Sequence, residues 1–348
     1  MNITEFSQFA IIQTAFLGDV ALTLPLADAI RHYQPEAEIT FVTTPIAAPL
    51  VECSDSVSRV LKYDKRKTHS GLKGISLIAD ELKQSSIDCI IAPHRSLRTT
   101  LLSILAHPKY SIGFSRNAAS FLYSKRVNYF TRLHEVERNI MLLTAFDDIQ
   151  NPIEKPISPP SITIPNFDNE NVSNLINHYQ LYSPIIAFAP GSVWATKRWC
   201  EEYFISTSEY FVSKGYSCVF IGGNEDSELC NRLAVASGAI SLAGETSIVQ
   251  TIDLLKRCGA ILTNDSAPTH LAWIAGCPAV TIFGATSPKI GFAPRGDRSV
   301  IIQNETLACR PCAIHGGNQC PLGTLECMKS VRPERATRAI ENILVNMM

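Results

Sequence analysis

Hydrophobic and polar positions in the first half of the chain alternate between short apolar runs and longer segments of helical period. Phe9-Ala10-Ile11-Ile12-Gln13-Thr14 and Ile39-Thr40-Phe41-Val42-Thr43 read as strands, and 19–33 between them reads as a helix. The alternation continues through a helix over 75–83, a strand over 87–92 and a helix over 97–105. Strand–helix order of this kind predicts a parallel sheet covered on both faces. The stretch 151–167 carries Pro152, Pro156, Pro159, Pro160 and Pro165 without helical period, and it reads as a connection between domains. Beyond it the pattern repeats, with strands expected over 185–189, 217–221, 240–243, 260–263 and 279–283. Pro333 opens a last helix over 334–347, free to pack back on the first domain. The expectation is an α/β protein of two doubly wound domains, 1–165 and 166–348, facing each other across a cleft.

Composition narrows the class without changing this outline. The 348 residues are 46% hydrophobic and 18% charged, ordinary for a globular protein and long enough for two cores. No apolar run approaches the roughly 18 to 20 residues that span a bilayer, and the first Lys or Arg is Arg31, so no basic leader is expected and the cytoplasm is the expected compartment. A formal net charge of −1 argues against nucleic acid as a partner. Yet between Arg59 and Arg132 fourteen Lys or Arg stand against four Asp or Glu. Arg95 and Arg98, at the carboxyl end of the 87–92 strand, are the members of this basic region best placed to meet an anion.

Candidate chemistry gathers at strand ends. Thr263-Asn264-Asp265-Ser266-Ala267-Pro268-Thr269-His270 follows an apolar strand and turns directly into a helix, where Asp265 or Ser266 can cap and Pro268 fits the first turn. The next strand ends in Gly284-Ala285-Thr286-Ser287-Pro288. Small hydroxylated residues and free backbone N–H groups at two neighbouring strand ends suit a sugar attached to a nucleoside diphosphate. Pro190-Gly191-Ser192-Val193-Trp194-Ala195-Thr196-Lys197 adds a third such end: Gly191 admits a close backbone approach, Ser192 offers a hydroxyl, and Lys197 brings a full charge to a diphosphate. Tryptophans on either side of Lys197 favour a packed loop over a solvated surface lysine. In Ile221-Gly222-Gly223-Asn224-Glu225-Asp226, an acidic side chain can accept hydrogen bonds from a ribose. The first turn, Ala15-Phe16-Leu17-Gly18-Asp19, has one glycine where a dinucleotide fingerprint needs three, and there is no phosphate-binding P-loop. Asp19 is an N-cap by residue preference and a general base in its other, compatible role.

Taken together, Gly18-Asp19-x-x-Leu22-x-x-Pro25, Pro93-His94-Arg95-Ser96-x-Arg98, Pro190-Gly191-Ser192-x-Trp194-x-x-Lys197-Arg198-Trp199, Asn264-Asp265-Ser266-x-Pro268-x-His270-Leu271-Ala272 and Phe283-Gly284-x-Thr286-x-Pro288 resemble the ADP-heptose:lipopolysaccharide heptosyltransferase family, glycosyltransferase family 9. The order and spacing match along almost the whole chain. The resemblance implies a GT-B fold of two Rossmann-like domains, the first binding the acceptor and the second the ADP-sugar, with no cofactor and no catalytic metal. It implies Asp19 as the base, Lys197 as a diphosphate ligand and Asp265 as a heptose contact. The 222–226 turn would meet the ribose, with Asp226 as the residue chosen, and His270 is either a site residue or a structural one. Gly191, Ser192, Ser266, Gly284 and Thr286 complete the expected donor site. The expected partners are ADP-heptose and a lipid A–Kdo core acceptor at the inner membrane surface, whose carboxylates and phosphates Arg95, Arg98 and Arg116 would meet. Where the family usually has glycine this chain has Ala267, which bears on the crowding of the phosphates and the backbone angles of the loop.

Two alternatives remain at this point: a family member using another nucleotide sugar, and an inactive nucleotide-sugar-binding protein. Retention of both Asp19 and Lys197 argues against the second. Of the eleven cysteines, Cys309, Cys312, Cys320 and Cys327 are clustered, with a spacing that suits structural zinc on chemistry alone. Similar cysteines in the resembled family accompany a mechanism without metal, so reduced packed thiols come first, then zinc, then disulfides.

Overall fold

The computed structural model describes residues 1–117, 119–153 and 156–346 and divides the chain into two compact units, Met1–Thr163 and Ile164–Met348. Glu154 and Lys155 of the proline-rich connection, and Met347 at the end of the expected last helix, lie outside the described residues. The first unit contains β1 (Gln8–Ile12), β2 (Glu38–Thr43), β3 (Arg59–Lys62), β4 (Cys89–Ala92), β5 (Tyr110–Phe114) and β6 (Lys125–Val127). They form one parallel sheet in the order β3-β2-β1-β4-β5-β6. The second unit contains β7 (Ile185–Ala189), β8 (Ser217–Phe220), β9 (Ile240–Ser241), β10 (Cys258–Asn264), β11 (Ala279–Phe283) and β12 (Val300–Gln303). Its order, β9-β8-β7-β10-β11-β12, is the same topology repeated. In each sheet the strand order reverses beside the first strand, between β1 and β4 and between β7 and β10. Doubly wound sheets bind ligands outside the carboxyl ends of the strands at that reversal.

The central strands are buried on both faces, which explains why they read as unbroken apolar runs. Ile12, Val42, Ile78, Leu82, Ile90 and Leu102 close one core of the first unit. Phe188, Phe204, Phe211 and Phe220 anchor that of the second, each worth roughly 1.5–3 kcal/mol of burial. The terminal helix, Pro333–Val345, packs on the helix Glu201–Ser213 and on β10, β11 and β12. Its apolar face, which the sequence left free for the first domain, is occupied within the second unit: Ala336, Ile340, Ile343 and Leu344 are buried in the same core.

One expected helix is two. The segment 19–33 is divided into Leu17–Ala21 and Leu24–Tyr33. Pro25 stands in the first turn of the second helix, where its missing N–H costs nothing, and Thr23 Oγ1 turns back to donate to Asp19 O at 2.8 Å. The break gives Asp19 a short helix of its own at the carboxyl edge of the sheet.

Candidate active site

At the reversal point of the second sheet, the residues after β7, β10 and β11 converge on one carboxylate. A single 3-10 turn, Ala195–Lys197, returns the chain after β7, and Lys197 Nζ lies 2.7 Å from Asp265 Oδ2 at the end of β10. Thr286 Oγ1, after β11, donates to the same oxygen at 2.6 Å. Lys197 is 13% exposed and Asp265 6%, so this is an enclosed charge pair and the surface-lysine reading falls. Asn264 joins the walls: its Oδ1 accepts from Trp199 N at 3.0 Å and its Nδ2 donates to Pro190 O at 2.8 Å. Asn264 carried no role in the sequence reading, although it stands beside Asp265 in the motif.

Asp226 closes the neighbouring strand end. A Cβ on Gly191 would lie 2.4 Å from either carboxylate oxygen of Asp226, and one on Gly222 would lie 2.6 Å from Asp226 Cβ. The space that a side chain would take at Gly191 is therefore filled by Asp226. Burial raises the Asp226 pKa and Glu225 adds to this, while the Gly223 backbone and Arg198 oppose them. Ser192 Oγ accepts from Trp194 N at 3.4 Å, within its own turn.

Ser266 occupies the N-cap position of the helix Ala267–Ala275, but it is not the capping residue the sequence suggested. Its hydroxyl donates to Gly191 O at 3.5 Å and Asn264 O at 3.4 Å, and makes no capping bond to the helix. Ala267 is the first helical residue, half-buried and outside the left-handed region, so the alanine sits in an ordinary backbone conformation. His270 is buried in that helix, its ring 6.3 Å from that of Phe292. Gly284 makes room for Met328, whose Cε would lie 2.5 Å from an added Cβ.

At the matching edge of the first sheet, Asp19 is the third residue of its helix, and its Oδ2 accepts from Phe16 N at 3.2 Å. Phe16, not Asp19, holds the N-cap position. The carboxylate nonetheless satisfies one donor of the first turn, which is the physical content of the capping expectation. Lys65 Nζ donates to Thr14 O at 2.6 Å, in the turn leading to Asp19. Burial holds the Lys65 pKa below its ordinary value, the charges of Arg66 and Arg98 add to this, and the Asp19 carboxylate opposes them. His94, just after β4, has Nδ1 3.1 Å from both Thr14 Oγ1 and Thr99 Oγ1. Burial, then the charges of Lys65 and Arg95, push the His94 pKa down to about 4, so the ring is neutral near pH 7.

A histidine held neutral in the fold contributes stability that is complete above its ordinary value of 6.5 and is lost as pH falls toward about 4. The contribution is at most about 3 kcal/mol. His94→Gln is accordingly expected to flatten the fall in melting temperature between pH 7 and pH 4. Parallel pH profiles for parent and variant would show that His94 does not supply the proton uptake.

The basic residues issue from adjacent strand ends. The Arg95 guanidinium lies 3.9 Å from the centre of the Tyr129 ring and donates from Nη2 to Tyr129 OH at 3.3 Å. Tyr129 is itself held by the buried pair Arg138–Glu135, with N to O at 2.7 Å. Arg98 Nη1 donates to Tyr63 OH at 3.2 Å, and Arg116 is exposed in the loop after β5. Lys65, Thr14 and His94 carried no assigned role in the sequence reading. The signals that pointed toward them were the basic excess that includes Lys65 and the motif around Arg95 that includes His94.

All four C-terminal cysteines are free thiols: Cys309 and Cys312 are exposed, Cys320 is half-buried and Cys327 is buried. Cys320 Sγ accepts backbone N–H groups from the 322–325 turn, which lowers its pKa. Among the described residues no three His, Cys, Asp or Glu side chains are grouped as metal ligands.

Sequence comparison places this geometry in a family. The family model for glycosyltransferase family 9 (heptosyltransferase) matches residues 76–322. The chain belongs to glycosyltransferase family 9. A similar relative is lipooligosaccharide heptosyltransferase 2 of Haemophilus influenzae, 22% identical over 348 residues and covering 96% of this chain and 98% of its own. Among solved structures, the glycosyl transferase family 9 protein from Veillonella parvula superposes with a TM-score of 0.88 at 21% identity, covering 99% of this chain and 98% of its own. E. coli ADP-heptose lps heptosyltransferase II superposes with a TM-score of 0.79, also at 21% identity, covering 98% and 99%. The fold shared with these family 9 enzymes is the GT-B fold that the motifs implied, and the protein is a glycosyltransferase.

Proposed function

We propose that this family 9 enzyme transfers L-glycero-D-manno-heptose from ADP-heptose to the inner core of lipopolysaccharide, by direct displacement with inversion and without a metal. The observation that carries the donor assignment is the meeting of Lys197, Asp265 and Thr286 at the reversal point of the second sheet, beside a helix N-terminus to which the N-cap side chain of Ser266 makes no bond. An ammonium and the backbone N–H groups of a helix N-terminus are what a leaving diphosphate needs as charge builds on it. The names of the relatives support the sugar and the acceptor: one is a lipooligosaccharide heptosyltransferase and another an ADP-heptose enzyme. In this reading Lys197 faces the diphosphate, Asp265 the heptose and Asp226 the ribose. Gly191, Ser192, Ser266, His270, Gly284 and Thr286 shape the remaining donor surface.

Asp19 takes the proton of the acceptor hydroxyl as its oxygen attacks the anomeric carbon, and ADP leaves from the opposite face. Arg95, Arg98 and Arg116 meet the acceptor's phosphates and carboxylates. From Pro93 to Leu133 the chain has seven Lys or Arg and no Asp or Glu, and it exposes Phe121 and Phe130. No helix among the described residues is long and apolar enough to cross a membrane. Basic and aromatic groups together suit peripheral binding to an anionic leaflet, at the cytoplasmic face of the inner membrane where the acceptor lies.

The test supplies purified enzyme with ADP-heptose and core-truncated lipopolysaccharides of defined structure, with and without EDTA. Addition of one heptose to one truncated acceptor is expected, with the anomeric configuration opposite to the donor's by NMR and the rate unchanged by EDTA. ADP binding without transfer to any acceptor would favour a binding protein. Activity lost to EDTA and restored by a divalent ion, with the fold intact, would overturn the metal-free mechanism.

A further inference from the structure

The cysteine-bearing segment plays no part in the chemistry above, yet it is tied to both walls of the donor edge. Its Arg310 guanidinium donates from Nε to Gly284 O and from Nη1 to Asn304 O. From Nη2 it reaches Thr286 O at 2.8 Å and Gln303 Oε1 at 3.0 Å. Cys312 N adds a bond to Ala285 O at 2.8 Å. The turn after β11 is therefore gripped along its backbone, and Thr286 is held by its carbonyl while its hydroxyl reaches Asp265.

The other end of the segment holds the Lys197 wall. Thr196 N donates to Gly317 O at 3.0 Å, and Gly317 N returns a bond to Thr196 Oγ1 at 2.9 Å. Gly316 has φ +86°, and an added Cβ would lie 2.9 Å from Lys197 Cγ and 3.1 Å from Cδ. The stretch 310–317 thus touches Lys197 at one end and Thr286 at the other, the two groups that donate to Asp265. Burial lowers the Arg310 pKa, but a guanidinium stays charged, and charged donors on carbonyls are among the stronger hydrogen bonds.

We propose that 310–317 is a strap that sets the placement of Lys197 and Thr286 about Asp265, with Arg310 as its positioning residue, and that it thereby fixes the part of the site that takes the donor's nucleoside diphosphate. The inference rests on the donor-site reading given above. Arg310 acts through the backbone of the 284–286 turn and not by touching phosphate. Lysine keeps the charge but cannot span several acceptors with a planar fork, so it cannot replace Arg310 in this role.

The experiment compares the parent with Arg310→Lys, Arg310→Gln and Gly316→Ala. It measures ADP affinity by calorimetry, KM for each substrate, kcat and melting temperature. Both Arg310 variants are expected to weaken ADP binding and raise the donor KM about tenfold, equivalent to about 1.4 kcal/mol. The acceptor KM should stay within about twofold, because the residues assigned to the acceptor, Arg95, Arg98 and Arg116, belong to the other compact unit. Gly316→Ala strains a left-handed position and presses on the Lys197 stem without altering any charge, so it should move the same two quantities. It also carries the test if an Arg310 variant fails to fold. Full rescue by Arg310→Lys would show that charge alone matters and overturn the strap. So would unchanged ADP affinity in Gly316→Ala, or a loss confined to melting temperature. A parent enzyme that does not bind ADP would take down the donor-site reading and the strap together; a parent that binds, with variants that bind equally, would overturn the strap alone.

Discussion

Asp19→Asn is expected to lower turnover by about 100-fold or more, the scale of losing a general base, while the fold and ADP affinity are retained. The amide keeps an oxygen that can accept from Phe16 N, as the carboxylate does now at 3.2 Å, so the short helix Leu17–Ala21 keeps its first-turn bond. What disappears is the capacity to take a proton, together with a negative charge near a helix N-terminus worth about 0.3–1 kcal/mol. The chemical loss therefore exceeds the structural one, and the two are read separately as kcat at saturating substrates and as melting temperature. Turnover within a few-fold of the parent, with a normal melting curve, would remove Asp19 from the proton transfer.

Strands buried on both faces were legible to the residue where turn residues bracket them. β7 stands between Pro184 and Pro190, and β11 between Pro278 and Gly284. The strands that went unread are short or diluted. β3, β6 and β12 are edge strands of only three or four residues, each with exposed positions, so their apolar residues make too short a run to stand out. β5 is fully buried, but Ser111 and Gly113 break its apolar pattern, and Gly113 is there because the Tyr123 ring would sit 2.3 Å from a Cβ. Local chemistry was legible in the same uneven way. Each of Lys197, Asp265 and Thr286 stood out by its place after a strand, but their convergence depends on the order β7-β10-β11, which no local pattern encodes. Lys65 and Arg310 bond to backbone carbonyls far along the chain, and a carbonyl leaves no trace in residue identity.

Lys197→Ala is expected to weaken ADP binding at least tenfold and to lower turnover by about 100- to 1000-fold, because its charge acts on both the bound and the developing phosphate charge. The pair with Asp265 complicates the reading, since removing one partner of an enclosed ion pair leaves the other uncompensated and costs about 3–5 kcal/mol when burial is complete. Asp265 is 6% exposed and, among the described residues, keeps the 2.6 Å bond from Thr286, so part of any loss in Lys197→Ala would be instability. The double variant Lys197→Ala with Asp265→Ala separates the two effects. Removing both charges should return the melting temperature most of the way to the parent's, a coupling that appears as non-additivity in the cycle. Turnover should not return with it, because the diphosphate still lacks its cation. Recovery of ADP affinity in the double variant would mean that Lys197 serves only to neutralise Asp265, and the cation at the leaving group would then have to be sought elsewhere on this edge, with Arg198 the first residue to test.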